Sequence, residues 1–213
     1  MKPFLYDHLF DISTNIEGKI KYINKEKILI LDGFFKNFLE LQNMVFSCPP
    51  GNWKYKEGTK NYVDYYDCRL SFLPHQNLML HVSNNIIKEQ YGKDTKLQDV
   101  VEANWFKQIK DKRNDYAWPH QDSITDSKYT CLIYMNSESL GGTAFFEQIQ
   151  NDSNTEELDY WGSNPTSWKM IDYVEMQPNR MVVFPAKMFH AAYHPKNGFF
   201  NNPRINIVYW MEE

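Results

Sequence analysis

From about residue 100 onward the chain is written as short apolar runs closed by turn-forming residues, and this pattern restricts the fold more than any other feature. The runs "VVEANWFKQIK" (100–110), "KYTCLIYMN" (128–136), "GTAFFEQI" (142–149), "YVEMQPNRMVVFPA" (173–186) and "RINIVYWME" (204–212) are rich in Val, Ile, Phe, Tyr and Trp. Asn-Ser, Gly141-Gly142, Asn164-Pro165 and Pro178-Asn179 punctuate them. β-Branched and aromatic side chains suit a pleated, half-buried surface. With turn signals between them and no long helical period, such runs predict an antiparallel barrel or sandwich of jelly-roll type.

The first hundred residues read differently. "KIKYINKEKILILDGFF" (19–35) alternates and then ends as a strand with a turn at Asp32-Gly33. "FKNFLELQNMVFSC" (35–48) spaces Phe38, Leu39, Leu41, Met44 and Val45 as an amphipathic helix, stopped by Pro49-Pro50-Gly51. A second helix is expected over "HQNLMLHVSNNIIKEQYG" (75–92), closing at Gly92. The expected class is therefore α+β, mainly β, with N-terminal helices packed on a β core. No repeat or Gly/Ser-rich linker divides the chain, so residues 1–213 are expected to form one domain, with 1–99 as a supporting region and 100–213 as the core.

Composition removes several functions. Aromatic residues make up 16% of the 213 positions, too many for a disordered chain. A net charge of −4, with Lys and Arg scattered apart from "KDKR" (110–113), gives no electrostatic support for nucleic-acid binding. The three cysteines, Cys48, Cys68 and Cys131, show no C-x-x-C spacing and predict reduced thiols. Asp7 and Asp11 interrupt the N-terminal apolar stretch, and no apolar run of about 18 residues occurs. The expectation is a cytoplasmic protein without a membrane partner.

The chemistry concentrates in "AWPHQDS" (117–123). Residues separated by one position face the same side of an extended strand, so His120 and Asp122 aim at one point. An imidazole and a carboxylate aimed together suit a divalent transition metal, and they supply two ligands of a 2-His-1-carboxylate triad. "MVVFPAKMFHAAYHP" (181–195) offers the second histidine as His190 or His194. His190 follows directly on an apolar strand and is preferred. In "PRINIVYW" (203–210), Arg204 heads an apolar strand, where a guanidinium invites a carboxylate or phosphate partner.

His120-x-Asp122, the later His190 after "FPAKMF" and Arg204 on the next strand together resemble the Fe(II)- and 2-oxoglutarate-dependent oxygenase superfamily, most closely its prolyl-hydroxylase-like branch. "TCLIYMN" (130–136) and "GGTAFFE" (141–147) resemble that branch's next strands in register, and the resemblance covers roughly residues 100–212. It implies a double-stranded β-helix, jelly-roll or cupin-like. His120, Asp122 and His190 would bind Fe(II), and Arg204 would hold the distal carboxylate of 2-oxoglutarate. Tyr134 would donate to the same group, with Thr130 beside it as a weaker candidate. Dioxygen would be the other cosubstrate, succinate and carbon dioxide the co-products, and hydroxylation of a prolyl or peptide side chain or a small metabolite the reaction.

The chain departs from that branch in the separation of His190 from Arg204, which is longer than usual. The turn-rich "PKNGFFNN" (195–202) is read as a lengthened hairpin between two strands. Tyr116, Trp118, Tyr160, Trp161 and Trp168 are candidate substrate contacts, although tryptophans there more readily pack a lid or sheet edge. Two alternatives compete: a cupin-like metalloenzyme that does not use 2-oxoglutarate, and a non-catalytic jelly-roll binding module. Cupin sites commonly use H-x-H where this chain has H-x-D, and a binding module would have lost a ligand or the anchor.

Overall fold

The chain first turns back on itself at Asn24-Lys25, where both residues take positive φ, 49° and 67°. Two left-handed residues in succession match the twist of the flanking strands and make a tight antiparallel hairpin. It joins β1 (Glu17–Ile23) to β2 (Glu26–Asp32), pairing Ile23 with Glu26 and Glu17 with Asp32. The single strand expected over 19–35 is thus two strands. The computed structural model describes residues 7–48, 54–55, 65–72, 81–97, 101–108, 119–122, 127–149, 168–193, 199 and 203–212.

After a turn at Gly33 (φ 70°), α1 (Phe38–Ser47) buries Phe38, Leu41, Gln42 and Val45 and leaves Leu39 exposed. It stops where expected. Cys48, which precedes Pro49, has ψ 125°, the extended conformation that a following proline imposes. The second helix is wound differently from expectation. His81–Lys88 forms a π-helix that continues into the α-helical turn Glu89–Tyr91, and it ends at a left-handed Gly92. Val82, Ile86 and Ile87, four and five residues apart, all lie buried on one side of this wider coil.

The other strands are β3 (Lys54–Tyr55), β4 (Tyr65–Phe72), β5 (Lys96–Leu97), β6 (Val101–Gln108), β7 (Ser127–Tyr134), β8 (Gly142–Gln148), β9 (Trp168–Glu175), β10 (Met181–Pro185), β11 (His190–Tyr193) and β12 (Arg204–Glu212). A major sheet runs β1-β2-β10-β7-β12-β6-β4-β3, with β5 on the end of β12, and a minor sheet runs β11-β8-β9. Strands from both sides of residue 100 therefore share the major sheet, because β2 pairs with β10 and β4 with β6. β11 and β12 belong to different sheets. The "PKNGFFNN" connection is consequently a crossover between sheets and not the hairpin expected from its turn formers.

Alternation along the central strands sorts side chains into two layers. Cys131, Ile133, Val183, Ile205, Ile207 and Tyr209 face α1 and the π-helix. Leu132, Tyr134, Val182, Phe184 and Val208 face the minor sheet, where Phe145 and Val174 meet them. This inner layer is the inside of a double-stranded β-helix. Gly142 lets β8 and β9 approach closely at their end of the minor sheet, since a Cβ there would lie 2.0 Å from the Val174 carbonyl oxygen.

Candidate metal centre

His120 and His190 form an isolated antiparallel bridge, each backbone N–H donating to the other's carbonyl at 2.9 Å. His190 in turn pairs with Phe145 of β8, so His120 adds to the edge of the minor sheet. Directly paired residues on an antiparallel ladder place their side chains on the same face. The two imidazoles accordingly lie with ring centroids 4.5 Å apart. Asp122 is held by its own backbone, its N–H donating to the Ala186 carbonyl at 2.9 Å. The chain crosses from the major to the minor sheet between Pro185 and His190, and that crossing carries both Ala186 and the second histidine.

The three side chains converge. Asp122 Oδ1 lies 3.8 Å from His120 Nε2, and Oδ2 lies 3.5 Å from His190 Nε2. One ligand atom from each residue fits within a 4.8 Å cluster. His190 Nδ1 lies 3.0 Å from the Met188 carbonyl. A carbonyl can only accept, so Nδ1 is the donor in that bond and Nε2 is the nitrogen left facing the cluster. Phe184 packs edge-on against the same ring at 4.7 Å.

Asp122 is gripped from the major sheet. The Thr130 hydroxyl donates to its Oδ2 at 2.7 Å, and Trp210 hydrogen bonds to the same carboxyl group. Thr130 and Trp210 are direct partners on β7 and β12, so one cross-strand pair supplies both bonds. Burial pushes the Asp122 carboxyl up. The neighbouring His190 and His120, with the Thr130 and Trp210 bonds, outweigh burial and hold it below the usual carboxylate range. The group is thus an anion at neutral pH. Two imidazole nitrogens and one carboxylate oxygen form a donor set suited to Fe(II). Three such atoms around one ion at about 2.1 Å would stand about 3 Å apart, a closure of an ångström or so from the present spacing.

A second polar group occupies the other end of the same interior. Arg204, 6% exposed, donates from Nη1 to Asn206 Oδ1 at 2.6 Å and from Nη2 to Thr143 Oγ1 at 3.3 Å. Its guanidinium carbon lies 5.4 Å from the centre of the Tyr134 ring. The Tyr134 hydroxyl lies 2.8 Å from Thr143 Oγ1. Burial raises the Tyr134 phenol, with Arg204 and Thr143 opposing, so Tyr134 stays a neutral donor. Thr130 and Tyr134 stand on one face of β7, as expected, but at opposite ends of the interior. Thr130 serves Asp122, and Tyr134 serves the arginine group.

Sequence reading did not reach Thr143, Asn206 or Trp210. Asn206 and Trp210 were legible only as alternate members of the strand that Arg204 opens, two and six residues on. His194, the other candidate ligand, lies outside the described residues, as do Tyr116, Trp118, Tyr160 and Trp161. Trp168 is buried on the outer face of the minor sheet against Phe189, with ring centroids 4.6 Å apart, and so faces away from the metal cluster.

These features define a β-helix protein with a two-histidine, one-carboxylate cluster at one end of its interior and a buried arginine at the other. Solved structures share its fold. An oxidoreductase of the 2OG-Fe(II) oxygenase family from Burkholderia pseudomallei superposes with a TM-score of 0.52 at 12% identity, covering 87% of this chain and 84% of its own. A non-haem α-ketoglutarate-dependent carbocyclase from nogalamycin biosynthesis gives 0.55 at 12%, covering 87% and 79%. A prolyl hydroxylase from Trichoplax adhaerens, in complex with a hypoxia inducible factor peptide fragment, gives 0.52 at 11%, covering 87% and 83%. No family model and no curated protein sequence matches the chain. The fold is that of the 2-oxoglutarate- and Fe(II)-dependent oxygenases.

Proposed function

We propose that this protein is an Fe(II)- and 2-oxoglutarate-dependent oxygenase that hydroxylates a small molecule or a peptide side chain, releasing succinate and carbon dioxide. The observation that carries the reading is the convergence of His120, Asp122 and His190 within 4.8 Å at one end of an interior whose other end holds Arg204. In this reading the three side chains bind the ion and leave adjacent positions open. Arg204, with Thr143 and Tyr134, receives the distal carboxylate of the keto acid. The bound ion and keto acid together supply oxidising power from dioxygen, chemistry that no protein side chain provides.

The chain's own residues do the positioning. Thr130 and Trp210 fix the Asp122 carboxylate, and the Met188 carbonyl orients the His190 ring. Leu132, Val208, Phe145 and Phe184 line the stretch between the two polar ends and exclude water from it. A prolyl side chain is one candidate substrate, since a prolyl hydroxylase shares the fold. A free metabolite is equally compatible with the site. The lack of a basic excess gives no electrostatic support for a nucleic-acid partner, and the sparse cysteines support a cytoplasmic location.

Anaerobic titration of the Fe(II)-loaded protein with 2-oxoglutarate tests the assignment. Chelation is expected to produce a weak visible charge-transfer band, lost in His190→Ala and kept in His194→Ala. Iron binding without that band would overturn the 2-oxoglutarate reading in favour of a cupin-like site.

A further inference from the structure

We propose that β1 is the interaction surface for a second copy of this chain, pairing antiparallel with its own counterpart about a two-fold axis through Ile20.

β1 ends the major sheet, and among the described residues it pairs only with β2. Ile23 and Glu26 flank the two-residue turn and form the first hydrogen-bonded pair, so by alternation Lys21, Lys19 and Glu17 also direct their backbone groups at β2. The N–H and carbonyl groups of Gly18, Ile20 and Tyr22 therefore point to the free edge. Their side-chain row faces the helices, since Gly18 and Ile20 stand opposite Leu31 and Leu29 of the helix-side core. This row carries no charge, and Ile20 is 49% and Tyr22 66% exposed. An exposed apolar edge of this kind is a template for another strand. Lys19 and Lys21 lie on the opposite row, where Asp32 at 3.8 Å and Asp172 at 2.6 Å neutralise them.

The edge is complementary to itself. Beside it lies a groove of about 360 Å³ between the hairpin and the π-helix, floored by Ile16, Leu29, Leu31 and Ile86 and walled by His81 and Asn85. His81 and Asn85 are hydrogen-bonded to each other at 3.1 Å. Gly18 interrupts the apolar row at the side of this groove, and Tyr22 projects from the same row without a covering neighbour. A second strand must keep like faces together, which permits only registers that oppose Gly18, Ile20 and Tyr22 with members of the same row. The register centred on Ile20 overlaps all of Glu17–Ile23, sets Ile20 against the partner's Ile20, and sets Tyr22 against the partner's Gly18. An aromatic ring opposite an edge glycine covers the bare backbone there. An amphipathic ring also suits a groove with an apolar floor and a polar wall. The two-fold repeats this contact on both sides and leaves neither β1 edge free, so the pair closes as a dimer and does not propagate.

Sedimentation equilibrium of the full chain is the test. Wild type should be dimeric at about 100 μM, a weak but specific affinity. Ile20→Lys places two like charges at the axis and should be monomeric at that concentration with a wild-type circular dichroism spectrum. Tyr22→Ala and Gly18→Val should each raise the dissociation constant about 10- to 100-fold, as expected for loss of an aromatic anchor. The double variant should be no weaker than the worse single one, because both changes remove the same contact. Monomeric wild type, or an Ile20→Lys protein as dimeric as wild type, would overturn the interface. Fully additive losses in the double variant would overturn the pairing of Tyr22 with the partner's Gly18.

Discussion

Asp122 is the residue on which the candidate centre turns, because it is tied to both sheets. Its backbone is fixed by Ala186 and its side chain by Thr130 and Trp210, while its oxygens face both histidines. Partners that orient a ligand without touching the metal typically contribute a factor of about 10 to 100 in metal affinity. Thr130→Val keeps the shape and removes the hydroxyl, so Mn(II) should bind about tenfold more weakly, while binding of 2-oxoglutarate to the fully loaded protein changes little. A selective loss of 2-oxoglutarate binding would instead place Thr130 at the cosubstrate, as the family resemblance implied. What could be read in advance at this scale was whatever is local: His120-x-Asp122 declares itself by period two, and Arg204 by a charge in an apolar run. Thr143 and Asn206 look like ordinary strand residues. Their importance comes from being opposite or diagonal to Tyr134 and Arg204, a register that no single strand encodes.

Elements were legible where one residue type enforces the geometry and hidden where several conformations compete. Gly92 and Pro49 ended the two helices where expected. The β1–β2 hairpin went unseen because Lys25, not glycine, occupies a left-handed position. An L-residue with a β-carbon is strained there by about 1 kcal/mol. Lys25→Gly should therefore raise stability by roughly 0.5 kcal/mol once glycine's own entropy is counted. Unchanged or lower stability in urea melts would mean that Lys25 makes a compensating contact. The turn before β10 makes the opposite case. Asn179 has φ 58°, and its side chain binds both the N–H and the carbonyl of Phe35 at 2.8 Å. Its backbone also bonds Phe34 and Tyr134, locking the β2–α1 corner to the end of β7. Asn179→Gly keeps the dihedral and loses two bonds, about 2 kcal/mol. Asn179→Ala should lose about 1 kcal/mol more, and equal losses in the two variants would show that the left-handed backbone is not under strain.

At the scale of the molecule, two sheets must be brought face to face, and the sequence is nearly silent on how. The runs of Val, Ile and aromatic residues announced strands, but not that β11 and β12 would part into different sheets. That separation is what allows His190 to meet His120 while Arg204 enters the same interior from the opposite wall. Charged side chains brace the assembly. Lys21 on β1 reaches Asp172 of β9 at 2.6 Å across the barrel's open side, but both groups are about a third exposed, where such a pair contributes little. Arg180 and Asp32 are different, for Arg180 is 3% exposed and donates from Nε and Nη2 to both Asp32 oxygens at 2.5 and 2.9 Å. The Arg180 hydrogen bonds hold the Asp32 carboxyl below its ordinary range against the opposing effect of burial, with Lys19 assisting. A carboxyl lowered on folding stabilises the folded state fully above its unfolded value, near 4, and that stabilisation fades as pH falls toward the folded value. Asp32→Asn leaves Arg180 buried with a neutral partner and should cost about 2 kcal/mol at pH 7. Below pH 4 wild type surrenders the same advantage, so the two stability curves should converge with acid. Parallel curves from pH 7 to pH 3 would mean that the Asp32 charge contributes nothing and that the pair is held by shape alone.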